Sequence, residues 1–123
     1  MNAQDDLIEF LTANDIVPVA YSPIGRYNST RLPSFSLLEH DKEGLLEKLA
    51  QKYDKTLFQI VLNWGLMRGY VVIPKASSLK HQQTNWESKN FQMDKEDIEL
   101  ITKTFDCGHR IFKSMTGKYN IFA

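Results

Sequence analysis

A lone cysteine, Cys107, leaves this sequence without an intrachain disulfide, so nothing covalent staples the fold and a reducing, cytoplasmic compartment is expected. No apolar run approaches the roughly 18 residues that a membrane span needs. The start, Met1 to Asp6, has no basic region leading into an apolar one, so these residues are not expected to be a secretory signal. An excess of one charge is missing too: Lys+Arg and Asp+Glu both number 15, and the basic residues are scattered. A general nucleic-acid or membrane-surface partner is therefore not expected, whereas a local phosphate site, needing one or two cations and some backbone N–H groups, stays open. The sequence contains neither Gly-x-Gly-x-x-Gly nor Gly-x-Ser-x-Gly, so a Rossmann domain and a nucleophilic hydrolase have no anchor. His40, His81 and His109 stand far apart with no cysteine or histidine cluster beside them, and no metal site is expected. Cys107 has no obvious base beside it and reads as a small semi-buried hydrophobe.

What is present is a globular composition, 42% hydrophobic against 24% charged, enough for one domain with a core over residues 1–123. Leu7, Ile8, Phe10 and Leu11 recur at helical spacing behind Asp5 and Asp6, with Asn14 as a left-handed stop. Ile16 to Tyr21 reads as a continuous apolar strand. Arg26 to His40 reads as a long loop. Leu45, Leu46, Leu49, Ala50 and Tyr53 mark a second helix. Thr56-Leu57-Phe58-Gln59 has the form of a capping box, opening a third helix with Leu57, Ile60, Val61 and Trp64 on one face and an end near Gly69. Tyr70 to Ile73 is the second strand. Ser77 or Ser78 caps a short helix running to about Trp86, and Asp94 caps a last one with Ile98, Ile101 and Phe105 on its apolar side. Core packing is the first explanation for both Trp64 and Trp86.

This order predicts an α/β fold of parallel strands joined through helices. Both strands are apolar throughout, which calls for cover on each face of a sheet. Two strands cannot supply that cover, so the chain reads as part of a larger fold and is expected not to form a stable monomer alone.

Two segments carry the chemistry. Val71-Val72-Ile73-Pro74-Lys75-Ala76-Ser77-Ser78 takes a strand into a helix start and sets an ammonium beside the free N–H groups and positive dipole end that attract anions. Ala20-Tyr21-Ser22-Pro23-Ile24-Gly25 ends a strand on a tyrosine whose ring can face a flat ligand and a serine that can bond a phosphate oxygen. On pattern alone each has an ordinary reading as well: an exposed lysine beside a Ser cap, and a core-edge tyrosine before a Ser-Pro turn.

Together these segments resemble the aldo-keto reductase family. The likeness runs to about residue 110 through Asn14–Gly25, Lys52–Lys75, Ser77–Trp86 and Phe91 to Ile101. It implies the last two strands, with their helices, of a (β/α)8 TIM barrel that is incomplete as a stand-alone barrel. It implies NADP(H) bound in extended form at the carboxyl ends of the strands. Tyr21 then matches the residue stacked on the nicotinamide, and Ser22, Pro23, Ile24 and Gly25 match the turn along the pyrophosphate. Lys75, Ala76, Ser77 and Ser78 match the loop around the adenosine 2′-phosphate, and Asn85 matches an adenine contact. His81 stands where many members have an arginine that clamps that phosphate, so one imidazole donor replaces a charged planar fork. Thr84 replaces an acidic adenine contact, and Arg26 to Ser36 lacks the usual belt over the cofactor.

The resemblance places the family's catalytic aspartate, tyrosine, lysine and histidine on earlier strands, so no catalytic residue is expected here. The implied function is the cofactor-binding part of an enzyme that reduces an aldehyde or ketone. Its expected partners are the small carbonyl substrate and the missing N-terminal barrel half or another chain. The alternative is a non-catalytic barrel remnant acting as an interaction or structural subunit.

Overall fold

The computed structural model describes residues 3–25 and 41–105. The loop expected over Arg26–His40, the histidines His40 and His109, and Cys107 lie outside the described residues. The elements are α1 (Asp5–Ala13), β1 (Val19–Tyr21), α2 (Leu45–Tyr53), α3 (Leu57–Met67), β2 (Val71–Ile73), α4 (Leu79–Glu87) and α5 (Lys95–Phe105). Among the described residues the sheet has two strands, β1 and β2, paired in parallel with Val19 opposite Val71, Ala20 opposite Val72 and Tyr21 opposite Ile73.

Local chemistry accounts for the helix ends. The Thr56 hydroxyl accepts from the Gln59 N–H while the Gln59 side chain accepts from the Thr56 N–H, which closes the expected capping box on α3. Helix α2 starts on Asp41, whose carboxylate takes the N–H groups of Leu45 and Leu46 at 2.6 and 3.1 Å. Helices α1, α2 and α3 end alike, with a left-handed residue and paired bonds back to the last turn. At α3 the left-handed residue is Gly69, with Gly69 N–H to Leu66 O at 3.0 Å and Tyr70 N–H to Gly65 O at 3.0 Å.

At α1 the expected left-handed stop at Asn14 is corrected. Asn14 has φ −108°, and Asp15 takes the positive φ of 57°. The Asn14 amide donates to Phe10 O at 2.8 Å, so the chain reverses one residue later, with Ile16 N–H reaching Leu11 O at 2.9 Å. Asp94 does begin the last helix, its carbonyl accepting from Asp97 and Ile98, while its carboxylate meets Lys52 Nζ at 2.7 Å.

The core lies between helices. Leu46 and Leu49 of α2, Ile60, Val61 and Trp64 of α3, and Ile101 and Phe105 of α5 are buried together with Met93. Trp64 thus packs as expected, its indole N–H donating to Thr102 Oγ1 at 3.0 Å. Trp86 does not: it is 68% exposed, with Lys89 Nζ 3.3 Å from its ring centroid.

The strands are shorter than expected, three residues each. Their faces agree with the expectation that two strands cannot cover themselves: Val19, Tyr21, Val71 and Ile73 are exposed. Each strand has a strand neighbour on one side only among the described residues, so no further strand extends the ladder. The sheet meets the helices at Gly65, where an added Cβ would stand 2.9 Å from Val72 Cγ1.

Arg68 ties α1 to this body. Its guanidinium donates to Ala3 O at 2.9 Å, Tyr70 Oη at 2.9 Å and Thr102 Oγ1 at 3.1 Å, and pairs with the Asp5 carboxylate.

Candidate functional site

Because β1 and β2 run parallel in register, the turn after Tyr21 and the loop after Ile73 leave the same end of the sheet. In α/β folds this carboxyl end is where ligands bind. The first segment is a tight turn: Gly25 N–H donates to Ser22 O at 2.7 Å, with Ser22 at φ 48° and Gly25 at φ 60°. The left-handed backbone at Ser22 is uncommon for a residue with a Cβ. Tyr21 stands at the strand's end with 62% of its surface exposed.

The second segment passes through Pro74 into α4. Ser78, not Ser77, is the cap, its Oγ accepting from His81 N–H at 3.2 Å. Ser77 has another part: its Oγ accepts from Lys75 Nζ at 3.1 Å, which holds the ammonium beside the helix start. Residues 71–86 contain no acidic side chain, so nothing in this stretch opposes an anion there. Lys80 and His81 are exposed in the first turn of α4.

Thr84 Oγ1 donates to Lys80 O at 2.9 Å, and Asn85 is half-buried, its carbonyl accepting from the Ser88 hydroxyl at 2.6 Å. Asn85 and Ala76 line an open cleft of about 420 Å³ between α3, β2 and α4, with Leu66, Val71, Pro74, Trp86 and Lys89 around them. Of the expected site residues, Tyr21 to Gly25 and Lys75 to Ser78 thus share one end of the sheet, and Ala76 joins Asn85 at the cleft.

An exposed ion-pair cluster joins α2 to the start of α5. Lys52 Nζ is 2.7 Å from both Asp94 and Asp97, and these carboxylates, Asp94 first, raise its pKa. In return Lys52 holds the Asp94 carboxyl below the ordinary carboxylate range. Tyr53 Oη donates to Asp97 and accepts from Asp94 N–H at 2.8 Å; burial first, then Asp97, pushes its pKa up. Burial opposes the charge on Arg68, but its bonds to Asp5 and Tyr70 outweigh that and its pKa is raised. Among the described residues no group of three or more His, Cys, Asp or Glu side chains is placed to hold a metal ion, and no helix is long and apolar enough to cross a membrane.

Sequence reasoning missed Gln59 and Asn63 as contacts of α4. The signal was two amides one turn apart inside the otherwise apolar run Leu57–Met67.

The chain matches the aldo/keto reductase family over residues 1–106. It is 35% identical over 100 residues to an NADP-dependent D-sorbitol-6-phosphate dehydrogenase of Malus domestica, covering 80% of this chain and 31% of that protein. It is also 35% identical over 120 residues to a glycerol 2-dehydrogenase (NADP(+)) of Hypocrea jecorina, covering 96% of this chain and 36% of that one. The crystal structure of a Bombyx mori aldo-keto reductase in complex with NADP superposes with a TM-score of 0.84 at 29% identity, covering 97% of this chain and 38% of that one. The chain spans about a third of the length of these relatives.

Proposed function

The chain belongs to the aldo/keto reductase family, and we propose that it forms the cofactor-binding C-terminal part of an NADP(H)-dependent reductase of aldehydes or ketones. In this reading β1 and β2 are the last two strands of a (β/α)8 barrel. The observation that carries it is the parallel register of those strands, which brings the Ser22–Gly25 turn and the Pro74–Ser78 loop to one end of the sheet. The charges in this stretch suit the cofactor: Lys75 stands beside the start of α4 in a stretch without acids, as suits a 2′-phosphate.

When bound, the reduced nicotinamide would supply a hydride to the carbonyl carbon. This chain's own residues bind and orient. The Tyr21 ring would offer a stacking face at the strand's end, and the turn from Ser22 through Pro23 and Ile24 to Gly25 would hold the pyrophosphate. Lys75 and the Ser77–Ser78 start of α4 would hold the 2′-phosphate, with His81 adding one imidazole donor, and Asn85 would bind the adenine. The developing alkoxide needs a proton donor. In this proposal that donor comes from barrel strands supplied outside these residues, which also cover the exposed faces of β1 and β2 in a cytoplasmic enzyme. Those exposed apolar faces equally suit a second reading, a non-catalytic subunit that uses them to join another chain.

Calorimetric titration of the 123-residue chain with NADP⁺ and NAD⁺ tests the cofactor site. NADP⁺ should bind more tightly, and Lys75→Ala should cost about 1.5–3 kcal/mol of NADP⁺ binding, the range for a charged hydrogen bond, with little effect on NAD⁺. Equal losses for both would place Lys75 on a group common to the two. Binding without any carbonyl reduction after co-expression with a barrel's remaining strands would favour the second reading.

A further inference from the structure

Helix α4 carries the Ser78 cap at one end and Asn85 in its second half, yet it buries no side chain of its own. Apolar packing therefore does little to hold it in place. What reaches it from the core is a pair of amides on α3. Gln59, 5% exposed, donates from Nε2 to Thr84 O at 3.2 Å. One turn later Asn63, 1% exposed, donates from Nδ2 to Ser88 O and to Phe91 O, both at 2.8 Å. The Thr84 carbonyl is among the last four of the helix, which lack the usual partner four residues on. Ser88 N–H goes to Asn85 O instead, which leaves Thr84 O for Gln59.

Gln59 is thus used at both ends. Its Oε1 accepts from the Thr56 N–H at 2.9 Å and closes the α3 cap, and its Nε2 crosses to α4. Because a helix moves largely as a rigid rod, a bond near one end constrains the other. We infer that Gln59 is a positioning residue for the nucleotide site: its amide fixes α4, and through it the placement of Ser78, Lys75 and Asn85. This rests on the cofactor reading given above.

Gln59→Glu separates the two ends. It keeps an oxygen for the Thr56 N–H but turns an acceptor toward Thr84 O, so the α3 cap survives and the tether to α4 is lost. Hydrogen exchange and nucleotide titration on the full 123-residue chain read out both parts. Exchange should quicken over residues 79–88 and stay unchanged over 57–67, and NADP⁺ affinity should fall about 3–10-fold, the worth of one net hydrogen bond. If the buried carboxylate prevents folding, Gln59→Met removes the tether without a charge and should give the same α4 exchange and the same loss.

Unchanged exchange over 79–88, or a loosened α4 with unchanged NADP⁺ affinity, overturns the role of Gln59 while leaving the cofactor site standing. A wild-type chain that binds neither nucleotide, alone or co-expressed with a barrel's remaining strands, overturns the cofactor reading and this inference with it.

Discussion

Helices α2, α3 and α5 bury Leu46, Leu49, Ile60, Trp64, Ile101 and Phe105 against one another, whereas among the described residues α1, α4 and both strands bury no side chain. The first region is a small core in its own right. The second is a set of strand-end loops and apolar surfaces attached to it by specific contacts: Arg68 to Ala3 and Asp5, Gly65 against Val72, Gln59 and Asn63 to α4 and the residues after it. The difference teaches where the stability of the residues resides. Burial of apolar side chains supplies most of it, so it is concentrated in the helices, and the candidate site is carried by a scaffold of which it forms little part.

The sharpest way to break this comparison is truncation on each side of it. Phe105→Ala empties a fully buried position and should cost about 3–5 kcal/mol, the usual range for removing a core aromatic. Val19→Ser on β1 removes an exposed apolar side chain and should change stability by no more than about 0.5 kcal/mol. Urea unfolding followed by far-UV circular dichroism measures both. Comparable losses would mean that the strand region is as well packed as the helices.

A smaller effect tests the seam between the regions. At Gly65 a methyl group would stand 2.9 Å from Val72 Cγ1, so Gly65→Ala must push β2 off α3 or shift Val72. A cost of about 1–3 kcal/mol is expected, as for other overpacked sites. Gly65→Ala together with Val72→Ala should recover part of it. No recovery in the double variant would show that the strain arises inside α3 and not at the seam.

The smallest effect sharpens the helical side by pH. Lys52 holds the folded-state pKa of Asp94 below its unfolded value, so this carboxylate contributes stability above the ordinary carboxylate range and loses it as pH falls through the lowered value. The pair is solvent-exposed, which keeps the contribution small. Thermal unfolding from neutral pH into acid should therefore fall slightly less steeply for Lys52→Met than for the wild type. Superimposable pH profiles would mean that the pair adds nothing measurable to the attachment of α5.

The elements legible beforehand were those that a few adjacent residues decide. The capping box of Thr56 and Gln59, the stop at Gly69, and the apolar faces through Ile60, Val61 and Trp64 and through Ile98, Ile101 and Phe105 all follow from hydrogen bonds and spacings spanning three to five residues. The same locality explains the near miss at Asn14, where both it and Asp15 can reverse a chain and only the side-chain bond to Phe10 O chooses between them. The two candidate loops were legible too, because an apolar run that stops at small polar residues marks a strand end whatever lies beside it.

Tertiary structure alone decided the rest. Trp64 stands in an apolar run and Trp86 among polar residues, but helical pattern alone left both as core candidates; packing leaves Trp86 68% exposed and puts Trp64 between helices. Nothing near Gln59 tells that its amide ends on Thr84 O, a contact across 25 residues, or that Asn63 reaches Ser88 and Phe91. Local chemistry is written residue by residue because its partners are adjacent in the chain. Contacts between distant residues exist only once packing has brought the helices together, and that packing is where the placement of α4 and the loops beside it was determined.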